Sequence, residues 1–327
     1  MVTFFFVLSG FLITHVLLNE AQPKGWISIS RFYIKRAFRI LPVYWLILFL
    51  SLLFLPAILG VHLPAPYPKL ADKTQGSFWS SLPLYLLLAP NLAYLLHGRR
   101  LALSHLWSVG VEEQSYLIWP WLLRFAGGRK TLGGLLVALI GIKTFLRLLP
   151  AHSIFLKYLS QFEIESFAMG GLGALWVASA TRPGNRFVSS TLWTWICLFL
   201  IFDGIGFLSV SLPVIGWSAL SILICLHFAT RSRPSILDRP LLSRLGKISY
   251  GIYMYHPAVV LASIAILHSM RCTGTNALYV LPLLGTILAA EASYRWVELP
   301  SRRMRDRVLA SMPPKDQPQF SAITFNN

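Results

Sequence analysis

The sequence is poor in charged residues. Charged side chains make up 13% of its 327 residues, whereas soluble domains carry about 25%. Hydrophobic residues make up 55% and the mean hydropathy is +0.62. Apolar runs of roughly 17 to 25 residues, the length that crosses a bilayer core, recur along the chain. The composition excludes a large soluble domain and predicts an all-α fold, a polytopic transmembrane helical bundle.

Cysteine is also scarce. The three cysteines form no C-x-x-C pair, and Cys197 and Cys225 lie inside apolar runs, so the sequence indicates neither a disulfide framework nor a metal site. The sequence contains no Walker motif, no zincin helix and no nucleophile elbow. We therefore expect no metal cofactor.

Acidic residues are few, with 12 against 29 lysines and arginines, which gives a net charge of +17. In a soluble protein this excess would indicate nucleic-acid binding. Here most basic residues fall on one side of the predicted membrane if segment 79–97 does not cross it. Cytoplasmic loops are enriched in Lys and Arg, so we predict a multi-pass membrane protein with a cytoplasmic C-terminus and no nucleic-acid partner. The predicted membrane domain covers residues 1–300, and residues 301–327 form a short basic and polar tail.

The apolar runs predict about nine spans and one interrupted segment. The predicted spans are 2–19, 38–60, 105–125, 131–150, 160–180, 189–208, 210–229, 246–268 and 277–297. Segment 79–97 contains Pro83, Pro90 and Asn91, and is predicted to be re-entrant or interfacial. The first run has no basic residues before it and no cleavage site after it, so it indicates a span and not a signal peptide.

Ionisable side chains inside spans cost about 2.5–3.5 kcal/mol each on insertion scales, so each is a candidate functional group. Arg36 and Arg39 lie three residues apart at the predicted cytoplasmic mouth of the second span, on one helical face. Guanidinium groups bind phosphate oxygens in bidentate fashion, so these arginines could hold a phosphorylated ligand. The spacing is equally compatible with anchors that only orient the helix.

Two adjacent carboxylates, Glu112 and Glu113, lie in "HLWSVGVEEQSYLIWP", with Tyr116 within helical reach of both. Adjacent helical residues point about 100° apart, so at most one of the two faces a given cavity squarely. A buried carboxylate can position a substrate hydroxyl, orient a histidine or pair with a cation. A structural ion pair with the arginines remains the alternative.

A polar stripe crosses the apolar helix predicted for "LGKISYGIYMYHPAVV". Ser249, Tyr253 and His256 follow one another at i, i+4 and i+7. His256 lies ~15 Å along the helix at 1.5 Å per residue, and Pro257 is expected to kink the helix there. His256 could be a general base or a hydrogen-bonded packing residue.

The remaining charges in the spans are predicted to form structural ion pairs. Along the last span, Arg295 is predicted to pair with Glu291 and Glu298. Between two neighbouring spans, the predicted pairs join Lys143 and Arg147 to Glu163 and Glu165.

Five stretches, taken in order over about residues 2–303, resemble the bacterial membrane O-acyltransferases of acyltransferase family three. They are "FFFVLSGFLIT", "RFYIKRAFRILPVYW", "LWSVGVEEQSYLIWP", "LGKISYGIYMYHP" and "YRWVELPSRR". The resemblance implies a cytosolic acyl-CoA donor, usually acetyl-CoA, and a hydroxyl acceptor on a cell-envelope glycan or related molecule. It also implies that Arg36 and Arg39 contact the CoA phosphates. Glu112 and Glu113 would then lie in the catalytic cavity.

The resemblance also implies one more span before the first, carrying a histidine that acts as the base. The sequence opens at the second span of that pattern, so we expect either a natural start further upstream or a truncated, impaired product. His256 and His105 fall in matched segments, at positions additional to that histidine. Transfer could be direct or pass through an acyl-enzyme.

Two other functions remain open at this point. Nine spans with buried charges also suit a transporter or flippase of a polar or lipid-linked substrate, although the inverted repeats common in transporters are not evident. The chain could also be a truncated, inactive acyltransferase homologue. Besides the acceptor, membrane lipid is the expected partner, and the sequence gives no indication of oligomeric state.

Overall fold

The chain folds into helices. A computed structural model describes residues 2–21, 28–53, 78–98, 103–149, 153–178, 212–230, 239–271 and 275–312. The regular elements within these ranges are all helical, which confirms the all-α part of the predicted fold class. They are α1 Val2–Ala21, α2 Ile29–Leu53, α3 Phe78–Leu86, α4 Pro90–His97, α5 Leu106–Ala126, α6 Arg129–Leu148, α7 Ile154–Gln161, α8 Ile164–Ala178, α9 Leu212–Thr230, α10 Pro240–Ser269, α11 Thr275–Ser293, a π-helical turn Tyr294–Glu298, and α12 Leu299–Ser311.

Three helical segments of the described chain are long and apolar enough to cross a membrane. They are Val2–Glu20, Pro240–Ser269 and Asn276–Ser311, and a shorter apolar helix runs over Trp217–Ala229. The first three coincide with the predicted spans at 2–19, 246–268 and 277–297. The predicted count of nine spans is not confirmed, and the predicted span 189–208 and residues 54–60 lie outside the described residues.

The interrupted segment 79–97 forms two short helices, α3 and α4. The chain turns between them at Leu88, whose φ of 58° is in the left-handed region. Pro90 occupies the first turn of α4, where its missing N–H leaves no hydrogen bond unmade. The predicted interruption is confirmed.

The predicted span 160–180 begins too early. Residues up to Gln161 belong to a separate helix, α7, which starts where the Ser153 side chain accepts a hydrogen bond from the Leu156 amide at 3.2 Å. An N-cap serine of this kind fixes a helix start locally. The long helix α8 starts only at Ile164, after a break at Phe162 and Glu163.

The helices group into two compact units, and within described helices the chain passes between them at residues 29 and 30, at the start of α2, and at residues 110 and 111, inside α5. The described part of unit 1 covers residues 2–21, 28–29, 111–149, 153–178 and 212–230. Within it α1 and α8 are in backbone contact: a Cβ on Gly170 would lie 2.6 Å from the Phe11 amide nitrogen, and one on Gly10 would lie 2.7 Å from Cα of Phe167. Small residues permit such close helix approach in membranes.

The described part of unit 2 covers residues 30–53, 78–98, 103–110, 239–271 and 275–312. Its centre is the packing of α10 on α11, where a Cβ on Gly251 would lie 3.1 Å from Cβ of Ala290. Helix α2 is bound to the same bundle, because the Tyr250 hydroxyl donates to the Ile40 carbonyl at 3.1 Å. The Ser301 hydroxyl at the start of α12 donates to the Phe38 carbonyl at 2.6 Å.

Candidate active site

In unit 1 the structure places two hydroxyl groups on one carboxylate. Glu112 and Tyr116 are one turn apart on α5, and Ser9 lies on α1. The Ser9 hydroxyl donates to Oε1 of Glu112 at 2.6 Å, and the Tyr116 hydroxyl donates to the same oxygen. The Tyr116 and Ser9 hydroxyl oxygens are 3.1 Å apart. Hydrogen bonds to a charged acceptor are the stronger kind, so this hydroxyl cluster of Ser9, Glu112 and Tyr116 holds the carboxylate in one orientation.

Glu112 and Tyr116 are predicted site residues that the structure brings together, whereas Ser9 is not among the predicted site residues. The signal that could have found Ser9 is its polarity in the middle of the apolar run "FFFVLSGFLIT". The other predicted carboxylate, Glu113, is 9% exposed and points about 100° around the helix from Glu112. The next residue, Gln114, accepts a hydrogen bond from the Tyr158 hydroxyl at 2.9 Å.

In unit 2 a second polar cluster surrounds His256. The His256 ring centroid lies 5.5 Å from that of His105 and 5.6 Å from that of Tyr253. The Tyr253 and Ser108 hydroxyl oxygens are 2.5 Å apart, and each lies 3.0 Å from the His105 carbonyl oxygen. This histidine cluster therefore adds His105, just before α5, and Ser108, in the first turn of α5, to the predicted pair Tyr253 and His256.

The contact of His256 with its own helix defines which ring nitrogen carries the proton. Nδ1 of His256 lies 2.7 Å from the Tyr253 carbonyl oxygen. A carbonyl can only accept, so Nδ1 is the donor. The neutral ring then has its lone pair on Nε2, which is the nitrogen able to take a proton from another group.

The third member of the predicted stripe, Ser249, behaves differently. It is exposed, and its hydroxyl donates to the Gly246 carbonyl of the same helix at 2.9 Å. Short hydroxyl side chains commonly bond to the preceding turn in this way. The structure thus brings Tyr253 and His256 together and places Ser249 on the exposed side of the helix.

The predicted phosphate-binding arginines lie on the first turns of α2. The Arg36 guanidinium lies 5.7 Å from the centroid of the Phe32 ring. Arg39 is exposed and interacts electrostatically with Glu298, a carboxylate that is 3% exposed and bonded by Arg302 at 3.2 Å. Two arginines from different helices therefore share one carboxylate, which leaves this surface of unit 2 with an excess of positive charge.

The predicted structural ion pairs are confirmed in part. Glu165 pairs with Arg147 at 2.5 Å and with Lys143 at 3.9 Å. Glu163, predicted to pair with the same cations, interacts electrostatically with both of them and accepts a hydrogen bond from the Thr3 hydroxyl at 3.2 Å.

The last span differs from its prediction at one residue. Glu291 pairs with Arg295 at 2.6 Å, as predicted, and also with Arg244 at 2.5 Å. Glu298 pairs with Arg302, one turn further on, and not with Arg295. The reason is the π-helical turn Tyr294–Glu298, whose wider winding rotates Glu298 away from the position that regular α-helical spacing predicts.

The chain is similar in sequence to known proteins. A family model described as an acyltransferase domain, that of acyltransferase family 3, matches residues 1–292. The chain is 28% identical over 338 residues to the Staphylococcus aureus (strain COL) protein named "Putative O-acetyltransferase SACOL0978", covering 97% of this chain and 54% of that protein. It is 26% identical over 344 residues to O-acetyltransferase OatA of S. aureus (strain NCTC 8325 / PS 47), covering 95% of this chain and 54% of OatA. The chain thus spans about half the length of these relatives. No solved structure matches it.

Proposed function

The chain belongs to acyltransferase family 3, and from that premise we propose that it is a membrane-bound O-acyltransferase. Its proposed reaction moves an acyl group, acetyl above all, from cytosolic acyl-CoA to a hydroxyl of a cell-envelope glycan or a related acceptor. The observation that carries the proposal is the family match over residues 1–292, joined by relatives named as O-acetyltransferases. The same observation favours an acyltransferase over a transporter or flippase. The proposed location is the bacterial inner membrane with a cytoplasmic C-terminus.

The proposed chemistry is direct attack of the acceptor hydroxyl on the thioester. The acceptor oxygen forms a bond to the thioester carbonyl carbon, and the C–S bond breaks. The hydroxyl proton passes to Nε2 of His256 and then to the departing CoA sulfur. The hydrogen bond from Nδ1 to the Tyr253 carbonyl supports this role, because it leaves the Nε2 lone pair as the proton acceptor.

We assign hydroxyl binding to the Glu112 cluster. Its carboxylate accepts hydrogen bonds from the Ser9 and Tyr116 hydroxyls, and this geometry supports an assignment to O–H donors. A sugar acceptor presents the same kind of donor. Glu113, buried beside it on α5, belongs to the proposed catalytic cavity.

The proposed donor site uses Arg36 and Arg39. CoA carries several phosphate charges, and guanidinium groups match phosphate oxygens in charge and geometry. The positive excess where Arg39 and Arg302 share Glu298 supports phosphate binding on this surface. No metal is required by this proposal, and acyl-CoA acts as a co-substrate.

Transfer of radiolabelled acetyl groups tests the proposed function directly. We express the 327-residue chain, and a second form extended by the in-frame sequence upstream of Met1, and add labelled acetyl-CoA to the membranes. Label is expected in envelope glycan and not in membranes that carry an empty vector. Folded, membrane-inserted protein that transfers no label in either form would contradict the proposal, and binding of labelled acetyl-CoA separates an acyltransferase from a transporter.

Replacing Arg39 with alanine is expected to raise KM for acetyl-CoA by about 10- to 100-fold, because a hydrogen bond to a charged group contributes about 1.5–3 kcal/mol. The value of kcat should change little, since Arg39 binds the donor and does not contact the reacting atoms. Steady-state rates over a range of acetyl-CoA concentrations measure both constants. Arg303→Ala, at an exposed position of α12, is the matched control and should leave KM unchanged. An unchanged KM in Arg39→Ala would show that Arg39 does not bind acetyl-CoA.

A further inference from the structure

A proline lies in the middle of α10, directly after His256. Helix α10 runs without interruption over Pro240–Ser269, so residue 257 occupies an interior position. In an α-helix the amide of residue 257 would donate to the carbonyl of Tyr253, four residues earlier. Proline has no amide hydrogen, and the Tyr253 carbonyl therefore lacks its usual helical donor.

The imidazole of His256 occupies the place of that donor. Its Nδ1 lies 2.7 Å from the Tyr253 carbonyl oxygen, at hydrogen-bond distance. Had residue 257 carried an amide hydrogen, the backbone would compete with the side chain for this oxygen. The sequence "Tyr-x-x-His-Pro" thus sets up the contact within a single helical turn.

We propose that Pro257 is a positioning residue for His256: by withholding the amide hydrogen bond from the Tyr253 carbonyl, it reserves that oxygen for Nδ1 and so fixes the tautomer and orientation of the imidazole. The catalytic consequence rests on the proposed function, in which Nε2 of His256 receives the acceptor proton. The tautomer itself does not depend on that function.

The surroundings hold the accepting carbonyl in place. The Tyr253 hydroxyl contacts the His105 carbonyl at 3.0 Å and the Ser108 hydroxyl at 2.5 Å. Met254 and Tyr255, the next residues along the helix, are buried at 0% and 6% exposure. The oxygen that accepts from Nδ1 therefore belongs to a turn of helix fixed from both sides.

The nitrogen NMR spectrum of the unmodified protein gives the first test. The protein is labelled with ¹⁵N at its histidine rings, kept in detergent micelles, and its His256 signals are assigned by difference against His256→Asn. At a pH where the ring is neutral, the expected spectrum has the proton on Nδ1 and a bare Nε2. A proton on Nε2 in the neutral ring would overturn the proposal, whatever the activity of the enzyme.

Pro257→Ala gives the second test, because alanine supplies the missing amide hydrogen. The His256 nitrogen signals should then move towards a mixture of the two tautomers. We expect kcat to fall by about 10²-fold, the loss that a small misplacement of a reacting group produces, with KM for acetyl-CoA unchanged. The matched control is Pro282→Ala, at the other helix-interior proline of the α10–α11 pair, which should alter neither the His256 signals nor kcat.

The outcomes of the two tests separate the two proposals. Pro257→Ala with unmoved nitrogen signals and the wild-type kcat would overturn the role of Pro257. If Pro257→Ala does not fold, the spectrum of the unmodified protein still tests the Nδ1 tautomer on which the proposal rests. A wild-type protein that transfers no acetyl group but has the Nδ1 proton would end the proposed function and leave the positioning role intact.

Discussion

Replacing His256 with asparagine is expected to lower kcat by about 10²–10⁴-fold, the usual contribution of a positioned general base. The amide nitrogen of asparagine lies where Nδ1 lies in histidine, so it can still donate to the Tyr253 carbonyl. Asparagine has no atom in the place of Nε2, so this position no longer offers a group that can take the proton of the acceptor hydroxyl. KM for acetyl-CoA should stay unchanged, because the arginines proposed to bind the donor lie on α2.

His256→Leu is the matched control for the hydrogen bond. It removes Nε2 and also the donor to the Tyr253 carbonyl, so the same loss of kcat should be joined by a loss of stability of about 1–3 kcal/mol. Thermal unfolding in detergent, measured beside acetyl transfer, distinguishes the two variants. Wild-type kcat in His256→Asn would mean that another group accepts the proton.

Long apolar helices are the part of the fold that the sequence predicts best. The run that gives α1 is apolar along almost its whole length, and such a run needs no tertiary information to be recognised. Helix ends are harder. Helix α10 starts at Pro240, six residues before the predicted span, because a proline in the first turn can begin a helix in a segment too polar to be predicted as membrane-spanning.

In the candidate site, contacts within one helix can be predicted from the sequence, whereas contacts between helices cannot. The pairs Glu112 with Tyr116 and Tyr253 with His256 follow from helical spacing, and the structure brings both together. Their partners from other elements do not follow from spacing. Ser9 bonds to Glu112 across 103 positions of sequence, and Tyr253 bonds to the carbonyl of His105 across 148. Contacts of this range are decided by how helices pack, which local patterns do not contain.

Local irregularities account for the remaining differences. The predicted pairing of Glu298 with Arg295 assumes a regular α-helix, and the π-helical turn at Tyr294–Glu298 removes that regularity. The predicted stripe treats Ser249 like Tyr253, although a short hydroxyl side chain can bond to its own helix whereas a tyrosine reaches beyond it.

Replacing Glu165 with glutamine is expected to destabilise the chain by about 3–5 kcal/mol, the cost of removing one partner of a buried ion pair. The Glu165 side chain is 4% exposed, and it pairs with Arg147 and Lys143, whose side chains are 15% and 7% exposed. Glutamine removes the carboxylate that lies within ion-pair distance of both cations, and Glu163 remains as their other acidic neighbour. Thermal or chemical unfolding in detergent micelles measures the loss.

A double-mutant cycle separates the charge interaction from simple loss of packing. If the ion pair is responsible, the double variant Arg147→Gln/Glu165→Gln should be less destabilised than the sum of its two single variants, because neither charge is then left alone. Glu163→Gln is the matched carboxylate control. Glu163 interacts electrostatically with Arg147 and Lys143, but its hydrogen bond is with Thr3 at 3.2 Å, and glutamine keeps an acceptor for that bond, so the loss of stability should be smaller than in Glu165→Gln. Additive effects in the cycle, or a Glu165→Gln protein as stable as the wild type, would show that the buried charges contribute packing alone.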